Sequence, residues 1–283
     1  MSEIAPGLPE RVVADVVTCA LDEDLGIAGD VTTLSTVDAE SMARAEIVSR
    51  QDGVVAGLPV AAYVFDTVGQ GRVRVEFGSA DGARVQPGDV LATVAGPMRD
   101  LLTAERTALN LICHLSGVAS LTRRWVDAIE GSGAHIRDTR KTMPGLRVLE
   151  KYAVRCGGGM NHRMSLSDAA LIKDNHVVAA GGVVAAFERV RAAYPGLPLE
   201  IEVDTVEQAR AVIDAGADLV LLDNMSPALM REVVQFARGR ARLEASGRLS
   251  LDNAREVAET GVDYLAVGAL THSAPVLDIG MDI

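Results

Sequence analysis

The three lysines of this 283-residue chain, Lys141, Lys151 and Lys173, all fall between residues 141 and 173. Every other basic side chain is an arginine apart from the histidines. Guanidinium forks suit carboxylates and phosphates, whereas a lysine supplies a compact ammonium for a point contact. From Arg137 to His176 there are eight Lys/Arg against four Asp/Glu, in a protein of net charge −12. His162, His176 and the triplet Gly157-Gly158-Gly159 fall in the same stretch. A local cationic island in an acidic chain reads as the floor of a site for a small, strongly anionic ligand.

The chemistry-bearing set is Arg106, Arg140, Lys141, Arg163 and Lys173, with His162 beside them and the carboxylates Glu202 and Asp223. Gathering such cations costs several kcal/mol in desolvation and repulsion unless anions answer them. One substrate with two carboxylates beside another with several phosphates would do so. The two acids could hold sugar hydroxyls, or a hydrated Mg²⁺ bound mainly by substrate phosphates. No Ser-His-Asp arrangement, Walker loop or zinc-type His/Cys cluster is present in the sequence.

Composition narrows the setting. Aromatic residues are only 3%, so the core is built of Val, Leu, Ala and Ile, which suits a parallel sheet covered by helices. The acidic balance argues against nucleic acid, which requires an extended basic face. Cys19, Cys113 and Cys156 are odd in number and widely spaced, fitting neither a disulfide framework nor a zinc site. With no signal-peptide layout and no unbroken apolar span, a cytoplasmic protein without a membrane partner is expected.

The elements that must position these groups change character near residue 115. Before it, a helix at about 9–24 precedes the alternating runs 43–48 and 72–77, with a helix-like run 58–68 between them. Turn signals at Asp81-Gly82 and Pro87-Gly88-Asp89 complete an α+β pattern. A long helix begins near Met98, and Leu102, Arg106, Leu109 and Cys113 share one stripe along it at helical spacing. A charge in an apolar stripe is costly without a partner, or else snorkels at its edge.

After residue 130, strand-like runs at 134–138, 169–172, 199–203, 218–222, 242–245 and 263–267 alternate with helix-like segments. Such alternation predicts parallel strands with right-handed crossovers. No G-x-G-x-x-G follows any strand, which favours a barrel over a dinucleotide-binding sheet. The runs end in Thr139-Arg140-Lys141, Lys173, Glu202, Asp223, Ser246-Gly247 and Gly268. In α/β barrels the site forms at the carboxyl ends of the strands, and small residues there suit a phosphate held by backbone N–H groups.

The run Arg137-Asp138-Thr139-Arg140-Lys141-Thr142-Met143-Pro144-Gly145-Leu146 resembles the signature of the quinolinate phosphoribosyltransferases, the carboxylating nicotinate-nucleotide pyrophosphorylases. Similar stretches are Gly157-Gly158-Gly159-Met160-Asn161-His162-Arg163, Leu171-Ile172-Lys173-Asp174-Asn175-His176, Glu200-Ile201-Glu202-Val203-Asp204 and Leu221-Leu222-Asp223-Asn224. Thr103-Ala104-Glu105-Arg106 and Val267-Gly268-Ala269 extend the likeness over nearly the whole chain.

The resemblance implies an α/β fold: an N-terminal α/β sandwich domain, placed at residues 1–115, and an incomplete α/β barrel at 116–270. The tail at about 271–283 would return to the first domain. It implies transfer of phosphoribose from phosphoribosyl pyrophosphate to quinolinate, with loss of CO₂, giving nicotinate mononucleotide and pyrophosphate with Mg²⁺ in de novo NAD biosynthesis. By similarity Arg140, His162, Arg163 and Lys173 surround the quinolinate carboxylates, with Thr139 and Lys141 nearby. Glu202 and Asp223 face the ribose hydroxyls and the metal, while Ser246, Gly247, Arg248, Val267, Gly268 and Ala269 form the phosphate-binding turns. Arg106 would serve the neighbouring site of a homodimer. Lys141, His162 and water are the candidate proton donors to the carbanion left by CO₂.

One departure stands out. The family usually has Ser-Gly-Gly where this chain reads Ser246-Gly247-Arg248. Arg147 and Lys151 match family positions, but helical spacing makes them surface or interdomain residues. Two other readings compete: a related transferase for another aromatic acid, and a barrel aldolase with Lys173 as Schiff-base amine.

Overall fold

The computed structural model describes residues 2–283, which divide into two compact units. The first comprises the chain up to Arg123, Thr142–Gly158 and Leu270–Ile283; the second comprises Arg124–Lys141 and Gly159–Ala269. The helix Met98–Ala128 runs through the expected boundary at 115. Residues 142–158, assigned from sequence to the barrel, cluster with the first unit, because helix Arg147–Cys156 buries Leu149, Tyr152, Ala153 and Val154 there.

In the first unit four antiparallel strands run in the order Ile279–Asp282, Met42–Ser49, Val90–Pro97, Arg74–Phe77. Strand 42–49 buries Ala45, Ile47 and Ser49 at alternate positions, so one face is covered and the other is left more open. The C-terminal strand completes the sheet by pairing Ile279 with Ser49 and Asp282 with Glu46. Along helix Met98–Ala128 the buried face runs through Leu101, Ala104, Ala108, Leu111 and Leu115. Arg106 falls outside that face and is exposed, so the predicted charge within an apolar stripe does not arise. At Gly117 a Cβ atom would lie 2.1 Å from the Pro275 carbonyl oxygen, which leaves glycine as the residue that lets the C-terminal segment approach.

The same unit contains the third lysine. Lys151 is fully buried, and Arg147 is partly buried with its Nε donating to Thr142 Oγ1 at 3.0 Å. The expected surface placement of Lys151 is therefore corrected. Next to it the buried Glu150 carboxylate faces His114 Nε2 at 2.9 Å and accepts the Met143 N–H at 3.1 Å.

The second unit is one six-stranded parallel sheet. Its strands are β1 (His135–Arg137), β2 (Ala170–Ile172), β3 (Leu199–Val203), β4 (Leu219–Asp223), β5 (Arg242–Ser246) and β6 (Tyr264–Ala266). Their order is β1-β6-β5-β4-β3-β2. Each strand from β2 to β6 neighbours its successor, and the last returns to pair with the first. That is the order of a barrel opened between β1 and β2, and it differs from a doubly wound sheet. The outer edge of β1 is instead met by Met160, whose N–H donates to Ile136 O and whose carbonyl accepts from Asp138 N–H. Among the described residues no helix is long and apolar enough to cross a membrane.

Candidate active site

Period-two alternation decides which side chains enter the barrel. On β3 Glu200 and Glu202 share a face, as do Glu244 and Ser246 on β5, and Leu171 with the residue following β2, Lys173. Registers Glu202 with Leu221, Leu221 with Glu244 and Asp223 with Ser246 bring these positions side by side. They open into a cavity of about 260 Å³ lined by Thr139, Arg140, Lys141, His162, Arg163, Leu171, Lys173, Glu202, Leu221, Glu244, Ser246 and Ala266. Eight expected site residues are thus brought together at the carboxyl ends of the strands. A shallower cavity at the opposite end, whose lining includes Arg191, Arg240 and Arg242, has guanidinium groups engaged by protein partners such as Asp214 and Tyr264.

The loop carrying His162 and Arg163 is pinned by the fully buried Asp138. Its carboxylate accepts the His162 N–H at 2.7 Å and Asn161 Nδ2 at 2.6 Å. Arg163 is anchored by its Nη1, which donates to Ala169 O at 2.9 Å. Burial, then the neighbouring Arg140 guanidinium, pushes the Arg163 pKa down. Two guanidinium groups are therefore held within each other's field at the pocket wall, an arrangement that a bound anion relieves.

Opposite them Lys173 Nζ lies 3.5 Å from Glu202 Oε2. Burial pushes the Glu202 carboxyl up; Lys173 pulls it down, and Asp223 pushes it up again. Glu202 and Asp223 thus feel one another at the ends of adjacent strands. Two carboxylates, one of them facing an ammonium, do not supply the near-complete oxygen shell of a resident Mg²⁺. The donor set fits an ion that arrives with phosphate and water ligands of its own.

The turns expected to bind phosphate follow β5 and β6. Gly247 has φ 82°, and a Cβ there would meet Asn224 Oδ1 at 2.4 Å, so the turn accepts only glycine. Arg248 adopts φ 52°, the left-handed region that suits the glycine usual in the resembled family. Its carbonyl accepts Asn253 Nδ2 at 3.0 Å, and its side chain is exposed. The Val267 N–H already donates to Arg137 O at 2.9 Å, so the expectation that it cradles phosphate is corrected; Gly268 and Ala269 follow it at the end of β6. Asp223, Gly247, Arg248, Gly268 and Ala269 are not in the cavity lining, and Arg106 lies in the first unit. Asp223 accepts from Asn224 Nδ2 at 2.6 Å.

Sequence reading missed two acids. Glu200 and Glu244 are 3% and 0% exposed, and Glu244 lines the base of the pocket. Glu244 Oε2 meets Arg137 Nη1 at 2.5 Å, and Glu200 Oε2 faces His162 Nε2 at 2.7 Å. The available signal was an acid flanked by apolar residues inside a strand, as in Leu243-Glu244-Ala245.

Comparison with known proteins places this geometry. Residues 30–116 match the N-terminal domain family described as quinolinate phosphoribosyl transferase, and residues 118–282 match the C-terminal one. The chain is 54% identical over 273 residues to a nicotinate-nucleotide pyrophosphorylase [carboxylating] of Mycobacterium leprae, covering 95% of this chain and 96% of that one. It is 42% identical over 262 residues to a probable enzyme of the same name from Bacillus subtilis, covering 92% and 90%. A crystal structure of NadC from Streptococcus pyogenes superposes with a TM-score of 0.94 at 38% identity, covering 98% of this chain and 97% of that one.

Proposed function

The chain belongs to the quinolinate phosphoribosyl transferase family, and from that premise we propose how its pocket performs the transfer. The reaction joins quinolinate to phosphoribosyl pyrophosphate and releases CO₂ and pyrophosphate, leaving nicotinate mononucleotide for NAD biosynthesis. The observation that carries this reading is the convergence of Arg140, Lys141, Arg163 and Lys173 on one cavity. A single-carboxylate acid would leave part of that charge unanswered; quinolinate brings two carboxylates.

Arg140 and Arg163 hold the carboxylates as planar forks, with Lys173 completing the cage. Lys173 is itself held against Glu202, and an ammonium in an ion pair is not the free amine a Schiff base requires. Glu202 and Asp223 receive the ribose hydroxyls. Ser246, Gly247, Gly268 and Ala269 surround the 5′-phosphate. Glu202 and Asp223 would hold a magnesium ion through its water ligands, and the ion would supply positive charge to offset the pyrophosphate leaving group. As the C1–pyrophosphate bond opens, the ring nitrogen is already in line, so positioning and fixed charge supply most of the rate. The 2-carboxylate then departs as CO₂; its electron pair stays on the ring carbon, stabilised by the cationic nitrogen, and is taken up by a proton.

Arg106, exposed on its helix, suits a role in the site of a second copy, which makes a homodimer the working form. Three unpaired cysteines suit a reducing cytoplasm. Purified protein mixed with quinolinate, phosphoribosyl pyrophosphate and Mg²⁺ should release CO₂ and pyrophosphate together. Release of neither at high enzyme concentration would overturn the assignment.

A further inference from the structure

At the base of the pocket, four largely buried side chains from three strands and one loop meet. Arg137 on β1 lies with its guanidinium 4.6 Å over the Tyr264 ring of β6 and its Nη1 against Glu244 Oε2 of β5. His162 Nε2 faces Glu200 Oε2 of β3 at 2.7 Å and Glu244 Oε1 at 3.6 Å. Both carboxylate oxygens of Glu200 and Oε1 of Glu244 are buried without a well-formed hydrogen bond. Two ionised carboxylates against one guanidinium would leave a buried net negative charge, and buried charge without a partner is strongly disfavoured.

The tautomer of His162 is fixed by the backbone. Arg163 N–H donates to His162 Nδ1 at 2.7 Å, so that nitrogen carries the lone pair and Nε2 carries the hydrogen. His162 therefore contributes no positive charge to balance the acids, and its Nε2 lies 2.7 Å from Glu200 Oε2. The three groups His162, Glu200 and Glu244 have metal-like spacing, with ligand atoms within 4.8 Å of one another. Yet Nε2 has no lone pair to give, and Glu244 is already engaged by Arg137. A proton fits where a cation does not.

We propose that Glu244 is held as a neutral carboxylic acid and acts as a positioning residue, its Oε1–H donating to Glu200 so that Glu200 fixes the Nε2–H of His162. One proton then satisfies the whole chain: Arg137 donates to Glu244 Oε2, Glu244 Oε1 donates to Glu200, His162 donates to Glu200, and Arg163 donates to His162. The cluster becomes electrically neutral, leaving the cations above to be answered by substrate alone. Burial first, and then the charge of Glu200, pushes the Glu244 acid up to about 7 against the pull of Arg137. The neighbouring strand β4 presents the uncharged Leu221 beside Glu244, and β6 presents Tyr264. His162 is thereby withdrawn as a proton donor to the carbanion, which leaves Lys141 and water.

The role in catalysis rests on the transferase reading; the protonation state does not, and the experiment separates them. Infrared difference spectra of the full-length protein near pH 6 should show the carbonyl band of a buried carboxylic acid, absent in Glu244→Gln. Because the amide keeps both the acceptor and the donor of the neutral acid, Glu244→Gln should retain kcat/KM for quinolinate within about twofold near pH 6. In the wild type, ionisation of Glu244 places a negative charge below the anion site, so KM for quinolinate should rise about tenfold from pH 6 to 8.5. Glu244→Gln should abolish that rise, whereas a merely structural role would leave the profile unchanged. The proposal is overturned by the absence of the acid band, by an order-of-magnitude loss in Glu244→Gln near pH 6, or by a tightly held metal ion that this substitution removes. If the wild type makes no nicotinate mononucleotide but keeps the band, the transferase reading alone fails.

Discussion

The Lys173 ammonium stands 3.5 Å from the Glu202 carboxylate, joining the residue after β2 to the inward face of β3. The Lys173 side chain is about half exposed (49%), so the pair contributes little to folding, on the order of 0–1 kcal/mol. Its contact with a desolvated substrate carboxylate is a charge-assisted one, worth about 1.5–3 kcal/mol. Lys173→Ala should therefore raise KM for quinolinate by about tenfold to a hundredfold while leaving the melting temperature nearly unchanged. Steady-state kinetics beside calorimetry distinguish this from a residue that mainly supports the fold.

Arg163→Lys is not a conservative exchange. The guanidinium of Arg163 reaches Ala169 O at 2.9 Å while facing the pocket beside Arg140. An ammonium cannot make both a backbone anchor and a planar fork. A fall in kcat/KM for quinolinate of about tenfold or more is expected, and full activity in Arg163→Lys would remove the fork from the binding scheme.

The turn after β5 gives two opposite expectations. Arg248 sits at φ 52°, where a non-glycine residue costs roughly 1–2 kcal/mol, while glycine costs about 0.4–1 kcal/mol in the unfolded chain. Strain relief is the larger effect, so Arg248→Gly should stabilise by up to about 1 kcal/mol in urea titrations. Gly247→Ala, by contrast, drives a Cβ into Asn224 and should disturb the phosphate turn, seen as a raised KM for phosphoribosyl pyrophosphate.

Two acids should tilt the pH dependence of stability in opposite directions. Against a burial that pushes it up, the Met164 and Ser165 N–H groups and the Ser165 hydroxyl bring Asp168 down to about 2. Its contribution is present above the ordinary value of 3.8 and is lost as pH falls through about 2. Glu244 is raised, so its contribution is present below 4.5 and is lost as pH rises through about 7. Denaturant midpoints across this range should lose the acid-side slope in Asp168→Asn and the neutral-side slope in Glu244→Gln.

The shared-site reading of Arg106 is open to a mixing experiment. At a quinolinate concentration too low for either impaired homodimer, Arg106→Ala and Lys173→Ala protomers joined as confirmed heterodimers should regain one intact site and part of the activity. No recovery would place Arg106 outside the chemistry of a neighbouring copy.

What was legible in the chain was what local pattern encodes. Apolar strand runs with polar ends predicted Thr139, Arg140, Lys141, Lys173, Glu202 and Ser246, which now share one cavity. Glu200 and Glu244 escaped because a single acid in a strand does not announce which face it occupies or what stands across from it. That information lies in register, where Leu221 aligns with Glu244 and Glu202 with Leu221. Lys151 escaped for a similar reason: helical spacing gave it a face, but burial depends on a unit assembled from three separate stretches. The stripe of Leu102, Arg106, Leu109 and Cys113 is only partly covered, with Leu109 alone buried, so Arg106 reaches solvent at its edge.

The pairing of Ile279–Asp282 with Met42–Ser49 has a consequence for how the molecule comes into being. During synthesis, strand 42–49 emerges early, yet its neighbour on this edge is translated only after every strand of the parallel sheet. Until then its hydrogen-bonding edge stands open, a template for association with any passing strand. The parallel unit, complete by Ala269, is free to fold during that wait. A chain truncated before Ile279 would thus carry every strand of the parallel sheet beside an antiparallel sheet with an uncovered, aggregation-prone flank.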